Sequence, residues 1–210
     1  MLVKICGIQT QQTAKQAAFA GADFIGFVFA SSKRRITPEK ARAICDSLPS
    51  SIKKVGVFVN ESVAKMEQVA KLVGLDYIQL HGDEPAAIAK QLSLPVIKAF
   101  PAQMDQVPIM KKYPCDYVLL DHPHGGGTGK TFDWLLYETL HREVPNLLLA
   151  GGLAPENVSN AIAVFQPAGV DVSSGVETNG EKDPLKIKQF ITNAKNRKED
   201  AHVKNQNNLP

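Results

Sequence analysis

Two side chains in this chain are suited to moving protons: the thiol of Cys6 and the carboxyl of Asp121. An unperturbed thiol titrates near roughly 8.5 and an aspartate near about 3.9. A desolvated aspartic acid can keep its proton and donate it, and a thiolate can accept one. Such a pair suits proton transfer at adjacent carbons, as in an aldose–ketose isomerase. On the residues alone, a second reading of Cys6 stays open, a small buried hydrophobe, and that reading suits Cys45 and Cys115. His81 reads as a ligand, a hydrogen-bond donor or a packed histidine, with no second histidine or acid at metal-binding spacing. Arg34 and Arg35 read as solvated loop charge or as a clamp for a substrate carboxylate.

Glycine-rich stretches supply a second kind of chemistry. Ala150-Gly151-Gly152-Leu153 and Asp171-Val172-Ser173-Ser174-Gly175-Val176-Glu177 offer small residues and backbone N–H groups of the sort that hold a phosphate. Gly151, Gly152, Asp171, Ser173, Ser174 and Gly175 are therefore expected to bind a phosphorylated small molecule, such as a sugar phosphate. The stretch ending in Gly129-Lys130-Thr131 looks like a Walker A loop, but His124 stands where its first glycine belongs. That stretch reads better as a loop over a bound sugar, behind the acid at Asp121.

The elements that carry these residues follow from periodicity. Apolar runs at residues 2–6, 23–29, 54–59, 76–80, 95–100, 116–121, 146–150 and 169–172 alternate with segments of helical spacing. The runs are apolar throughout, as parallel strands covered on both faces must be. Helices are expected at 9–20, from Pro38, from Val63, and at 85–92, 106–112, 132–140, 155–165 and 184–194, with Thr37, Ser62 and Asp183 as caps. A faint repeat, Gly21-Ala-Asp-Phe, Gly74-Leu-Asp-Tyr and Pro114-Cys-Asp-Tyr, places an acid before alternate strands. Eight strand–helix pairs in one α/β domain predict a (β/α)8 TIM barrel over residues 1–194, followed by a polar, disordered tail at 195–210. The competing open doubly wound sheet lacks its G-x-G-x-x-G fingerprint after the first strand. Barrel active sites lie at strand C-termini, and seven of the eight expected ends carry polar residues or glycine.

Composition narrows the partners. The 210 residues are 44% hydrophobic and 21% charged, with a net charge of +3 spread along the chain. That balance gives no nucleic-acid footprint, and no apolar run reaches the length needed to span a bilayer. Three widely spaced cysteines and no visible signal peptide point to a cytoplasmic protein. Its oligomeric state is left open between monomer and homodimer.

Taken in order, several motifs resemble phosphoribosylanthranilate isomerases. They are Lys4-Ile5-Cys6-Gly7-Ile8, Gly26-Phe27-Val28-Phe29 with Ser32-Lys33-Arg34, and Gln79-Leu80-His81-Gly82. Leu120-Asp121 with Gly126-Gly127-Thr128-Gly129 and Phe132-Asp133-Trp134 follow, then the two late glycine stretches. The resemblance implies an Amadori rearrangement in tryptophan biosynthesis, without metal or organic cofactor. It implies Asp121 as general acid and Cys6 as general base. It also implies Arg34 on the anthranilate carboxylate, His81 lining the pocket and the late loops on the phosphate. Arg35 stands where relatives often carry an aromatic residue. Another phosphate-binding barrel enzyme is the alternative. A ribulose-phosphate epimerase would want metal-binding histidines and aspartates at several strand ends, and an indole-glycerol-phosphate synthase a lysine on an early strand.

Overall fold

The structure, a computed structural model, describes residues 1–122, 140–144 and 146–196. Eight parallel strands close into a barrel in sequence order: β1 (Leu2–Cys6), β2 (Phe24–Val28), β3 (Lys53–Phe58), β4 (Tyr77–Leu80), β5 (Val96–Pro101), β6 (Tyr117–Asp121), β7 (Leu147–Leu149) and β8 (Gly169–Val172). The helices between and after them are α1 (Gln11–Ala20), α2 (Pro38–Cys45), α3 (Val63–Val73), α4 (Ala86–Ala89), α5 (Val107–Met110), α6 (Leu140–Glu143), α7 (Val158–Phe165) and α8 (Pro184–Lys195). The expected barrel is the fold that forms, and all eight strands lie within a residue or so of their expected bounds. Of the expected helix at 132–140 only Leu140, the first residue of α6, is described; residues 132–139, the loop at 125–129 and the tail from 197 onward lie outside the described residues.

Local chemistry sets the helix ends. The Thr37 and Ser62 hydroxyls accept from Lys40 N–H and Lys65 N–H, and the Asp183 carboxylate accepts from Leu185 and Lys186 N–H. Helices α4, α5 and α7 are shorter than their periodicity predicts. After Ala89 the bonds tighten to i→i−3, Gln91 to Ile88 and Leu92 to Ala89, so α4 does not reach residue 92. At α7 the Asn157 side chain accepts from Ala154 N–H and donates to the Gly152 carbonyl, which holds residues 154–157 in a loop and delays the helix. A small antiparallel hairpin after β8 was not foreseen: β9 (Glu177–Thr178) and β10 (Glu181–Lys182). Its signal was Asn179-Gly180, at φ +53° and +85°, the pairing that a tight hairpin turn favours.

The acidic repeat has a structural role. Oδ2 of Asp23, Asp76 and Asp116 each accepts a 2.8 Å bond from the N–H of Val3, Lys54 and Val96 respectively. Each acid thereby stitches an even strand to the start of the strand before it.

Every second residue points inward, so the barrel's interior is readable from register. Its lower end is filled by Phe24, Tyr77 and Tyr117 from three even strands, their ring centroids 5.6–6.0 Å apart and edge-to-face. The corresponding residue of the fourth even strand is Gly169. A Cβ there would meet Leu148 Cδ2 and Leu2 Cβ at 2.8 Å and the Leu2 carbonyl oxygen at 2.9 Å. Above this plug, Val55, Ile97, Leu119 and Leu148 continue an apolar packing. Higher still the interior turns polar, with Lys4, Gln79 and Asp171. Gly169→Ala is expected to lower stability by about 1–3 kcal/mol, because the backbone of β1 cannot yield as a side chain can. Urea unfolding checks this, and an unchanged midpoint would show that the seam is looser than described.

Candidate active site

Cys6 ends β1, with its side chain turned into the barrel mouth, and Lys4 lies two residues below it on the same inner face. The Lys4 ammonium donates to Asp171 Oδ1 of β8 at 2.8 Å, and Lys4 is 1% exposed. Burial pulls that ammonium towards neutrality, but the charges of Asp171 and Cys6 outweigh it and leave Lys4 raised to about 12. Burial also pushes the Cys6 thiol up, with Lys4 and Lys182 pulling against it and Asp171 adding to it. Gly26 faces Cys6 across the β1–β2 ladder. A Cβ on Gly26 would sit 3.0 Å from Cys6 Sγ and 3.2 Å from Lys4 Nζ, so only glycine leaves room for both groups. Burial also raises the two other thiols, Cys45 to about 12 and Cys115 to about 11.

Across the mouth, β4 and β6 bring His81 and Asp121 together. His81 Nε2 lies 3.4 Å from Asp121 Oδ2, and Asp121 Oδ1 accepts a 2.7 Å bond from His122 N–H. Below His81, Gln79 Nε2 is 2.8 Å from His81 Nδ1. With the amide donating to Nδ1, the imidazole proton sits on Nε2, facing the carboxylate. Gln79 Oε1 is buried and has no hydrogen-bond partner among the described residues.

The loop carrying His81 is anchored by a buried pair. Glu84 accepts from Lys98 Nζ at 2.9 Å and from the N–H groups of Asn60 and Gly82 at 2.8–3.1 Å. Burial pushes the Glu84 carboxyl up, and the Asn60 N–H and Lys98 outweigh it, so it titrates below its usual value. Lys98 also donates to the Gly82 carbonyl and lies 5.5 Å from the Phe100 ring centroid, which leaves it devoted to this loop.

The third side is built from the ends of β7 and β8. Gly151 and Gly152 adopt φ +80° and +68°, which turn the chain sharply over the barrel mouth. Gly175, in a short 3-10 turn spanning Ser174–Val176, abuts Leu153: a Cβ there would fall 1.9 Å from the Leu153 carbonyl oxygen. The two loops therefore touch backbone to backbone. The N–H groups of Gly151, Gly152 and Ser174 donate to no acceptor among the described residues.

Arg34, from the loop after β2, is gripped by Glu177 on β9. Its Nε and Nη2 donate to the two carboxylate oxygens at 2.6 and 2.9 Å. Glu177 also accepts from Lys182 at 2.7 Å, and Lys182 donates to the Ser173 carbonyl at 2.9 Å. Burial raises the Glu177 carboxyl, but Arg34 and Lys182 outweigh it and hold it down at about 2. Gly7, at φ +78°, lets the Arg34 stem cross: a Cβ there would lie 2.5 Å from Arg34 Cδ.

These groups surround one cavity of about 340 Å³. Cys6, Arg34, His81, Asp121, Gly151, Gly152, Asp171, Ser173 and Ser174 all line it, with Val28, Val57 and Val59 as an apolar flank beside Arg34. Two expected binding residues have packing roles of their own. Gly175 does not line the cavity, because its backbone is packed on Leu153. Asp171 lines it from the inner face of β8, with its Oδ1 accepting from Lys4. Sequence reading missed Lys4, Gln79, and the Glu177 grip on Arg34. Its usable signal was a polar residue inside an otherwise apolar strand, as in Val3-Lys4-Ile5 and Ile78-Gln79-Leu80. Among the described residues no group of three His, Cys, Asp or Glu side chains is arranged to hold a metal ion, and no helix is long and apolar enough to cross a membrane.

The sequence model of N-(5'-phosphoribosyl)anthranilate isomerases matches residues 3–193. The chain belongs to the phosphoribosylanthranilate isomerase family. An N-(5'-phosphoribosyl)anthranilate isomerase of Listeria monocytogenes serotype 4b is 49% identical over 202 residues, spanning 93% of this chain and 98% of the relative. Among solved family structures, one described as monomers of the dimeric enzyme of Thermotoga maritima superposes with a TM-score of 0.85 at 44% identity, covering 93% of this chain and 98% of that one. A second, a phosphoribosylanthranilate isomerase in complex with reduced 1-(o-carboxyphenylamino)-1-deoxyribulose 5-phosphate, gives 0.84 at 42% identity with the same coverage.

The Glu177 network carries a pH signature. Its folded-state carboxyl titrates at about 2, against roughly 4.3 for an unfolded glutamate. A depressed carboxyl stabilises the fold above its unfolded value and loses that contribution as pH falls through the folded one. Glu177→Gln is therefore expected to unfold at lower urea than wild type at neutral pH, with the gap closing as pH falls from about 5 towards 2. A gap that stays constant over that range would show that the ion pairs contribute nothing.

Proposed function

We propose that this chain catalyses the Amadori rearrangement of N-(5'-phosphoribosyl)anthranilate to 1-(2-carboxyphenylamino)-1-deoxyribulose 5-phosphate in tryptophan biosynthesis. The observation that carries the reading is the convergence of the Asp121 carboxyl, the Cys6 thiol and backbone N–H groups with no acceptor among the described residues on a single cavity in a chain of this family. Asp121 is the general acid: its proton goes to the furanose ring oxygen as the C1–O bond breaks, and the anilino nitrogen lone pair forms the C1=N bond of a Schiff base. Cys6 is the general base: its thiolate takes the proton from C2, and the C–H electron pair becomes the C1=C2 bond of an enolamine. Tautomerisation, with C1 gaining a proton and the C2 hydroxyl losing one, gives the ketone.

The flanks divide the substrate between them. The N–H groups of Gly151, Gly152 and Ser174 suit the phosphate, and Ser173 opens the same loop with its hydroxyl donating to the Cys6 carbonyl. Arg34, with Nη1 unengaged by Glu177, suits the anthranilate carboxylate, and Val28, Val57 and Val59 suit its ring. His81 borders the pocket beside Asp121 and steadies its carboxyl. Three free thiols support a cytoplasmic setting. The assembly proposed is a monomer or a homodimer, the dimeric Thermotoga maritima relative being the precedent for the second.

Loss of anthranilate-substrate fluorescence on turnover measures the reaction directly. Cys6→Ala and Asp121→Asn are each expected to lower kcat by about 10²–10⁴-fold, and rates near wild type would refute the mechanism. Arg34→Met is expected to raise KM by at least about tenfold while kcat falls less, as the loss of a binding contact predicts.

A further inference from the structure

Among the described residues, the side chains of Lys4, Lys98 and Lys182 lie buried around this barrel, and their bonding separates them. Lys98 donates to the Gly82 carbonyl and to Glu84, and Lys182 donates to Ser173 and Glu177. Lys4 gives a hydrogen bond to one oxygen, Asp171 Oδ1, although an ammonium carries three donors. Its remaining donors share the space over Gly26 with Cys6 Sγ, the pocket that any Cβ at position 26 would fill. A cation at the centre of a barrel with one carboxylate partner is costly to keep. A carboxylate alone beside Cys6 would oppose thiolate formation, so the order Asp171, Lys4, Cys6 matters: the cation stands between the acid and the thiol's new charge.

We propose that Lys4 is a positioning residue for the reaction, its buried ammonium stabilising the Cys6 thiolate as the form that takes the C2 proton. The inference rests on the assignment of Cys6 as base in the reading above. The groups that face Cys6 are few: Lys4 on its own strand, Asp171 on β8, Lys182 on the hairpin and Arg34 from the β2 loop, with Gly26 bringing no charge from β2. Lys4 remains an ammonium throughout the working pH range, so it acts by charge and supplies no proton. When the S–H bond forms at the expense of C2–H, the C2–H pair becomes the C1=C2 bond, and the C1=N pair returns to the anilino nitrogen and cancels the positive charge of the protonated Schiff base.

The test follows Cys6 alkylation by iodoacetamide against pH, read by mass spectrometry of its own peptide so that Cys45 and Cys115 do not contribute. Lys4→Met is expected to move the alkylation midpoint up by about one pH unit or more, and Asp171→Asn to move it down. In the fluorescence assay Lys4→Met is expected to lose at least about tenfold in kcat with KM within about threefold, and Lys4→Arg to recover part of that loss. A packing role predicts no opposed shifts, so midpoints that stay put or move together overturn the proposal. A shifted midpoint with unchanged kcat overturns it too. If Lys4→Met does not fold, the double variant Lys4→Met/Asp171→Asn leaves no unpaired buried charge. Its midpoint must then exceed that of Asp171→Asn alone, and an equal or lower value overturns the proposal. Full activity in Cys6→Ala would sink the base assignment instead, whatever the alkylation midpoints do.

Discussion

The ion pair between Lys4 and Asp171 lies across the seam where β8 closes on β1, and the two residues are register partners in that ladder. It is a poor source of net stability, since desolvating two charges offsets most of their attraction. Its value is positional. Removing either partner would strand the other charge inside the barrel at a cost of about 3–5 kcal/mol, so the closed register and the charge beneath Cys6 are specified together.

That pair also marks a boundary within the barrel. Below it, three aromatic rings and a glycine fill the interior so tightly that the fourth even strand has no room for a methyl group. Above it, the interior is lined by Cys6, Gln79, His81, Asp121 and Ser173, with open volume among them. The fold thus separates burial that stabilises from polarity that reacts. Parallel strands with a period of two allow this, because each strand can change character along its length without changing its register.

A second constraint joins the two ends of the site. Glu177 holds Arg34 from the β2 loop and Lys182 from the hairpin, and Lys182 in turn holds Ser173. Gly175 seats the same segment against the loop after β7. The proposed carboxylate and phosphate subsites therefore share one support.

Much of this was legible in the chain itself. The apolar runs without alternation required parallel strands covered on both faces, and eight of them with intervening helices leave little but a closed barrel. Thr37, Ser62 and Asp183 announced their helices because capping is a contact across three residues. Cys6, His81 and Asp121 were identifiable because strand C-termini converge in such a fold. What only the tertiary structure decided was the partner of each polar side chain. Asp171 reads in sequence as part of a phosphate loop, yet it serves Lys4, 167 residues away. Arg34 reads as a free clamp, yet Glu177 grips it from 143 residues away. Pairings at that separation depend on which strand neighbours which and how far each is staggered. Local periodicity records that a residue points inward, and only closure of the barrel determines what it meets there.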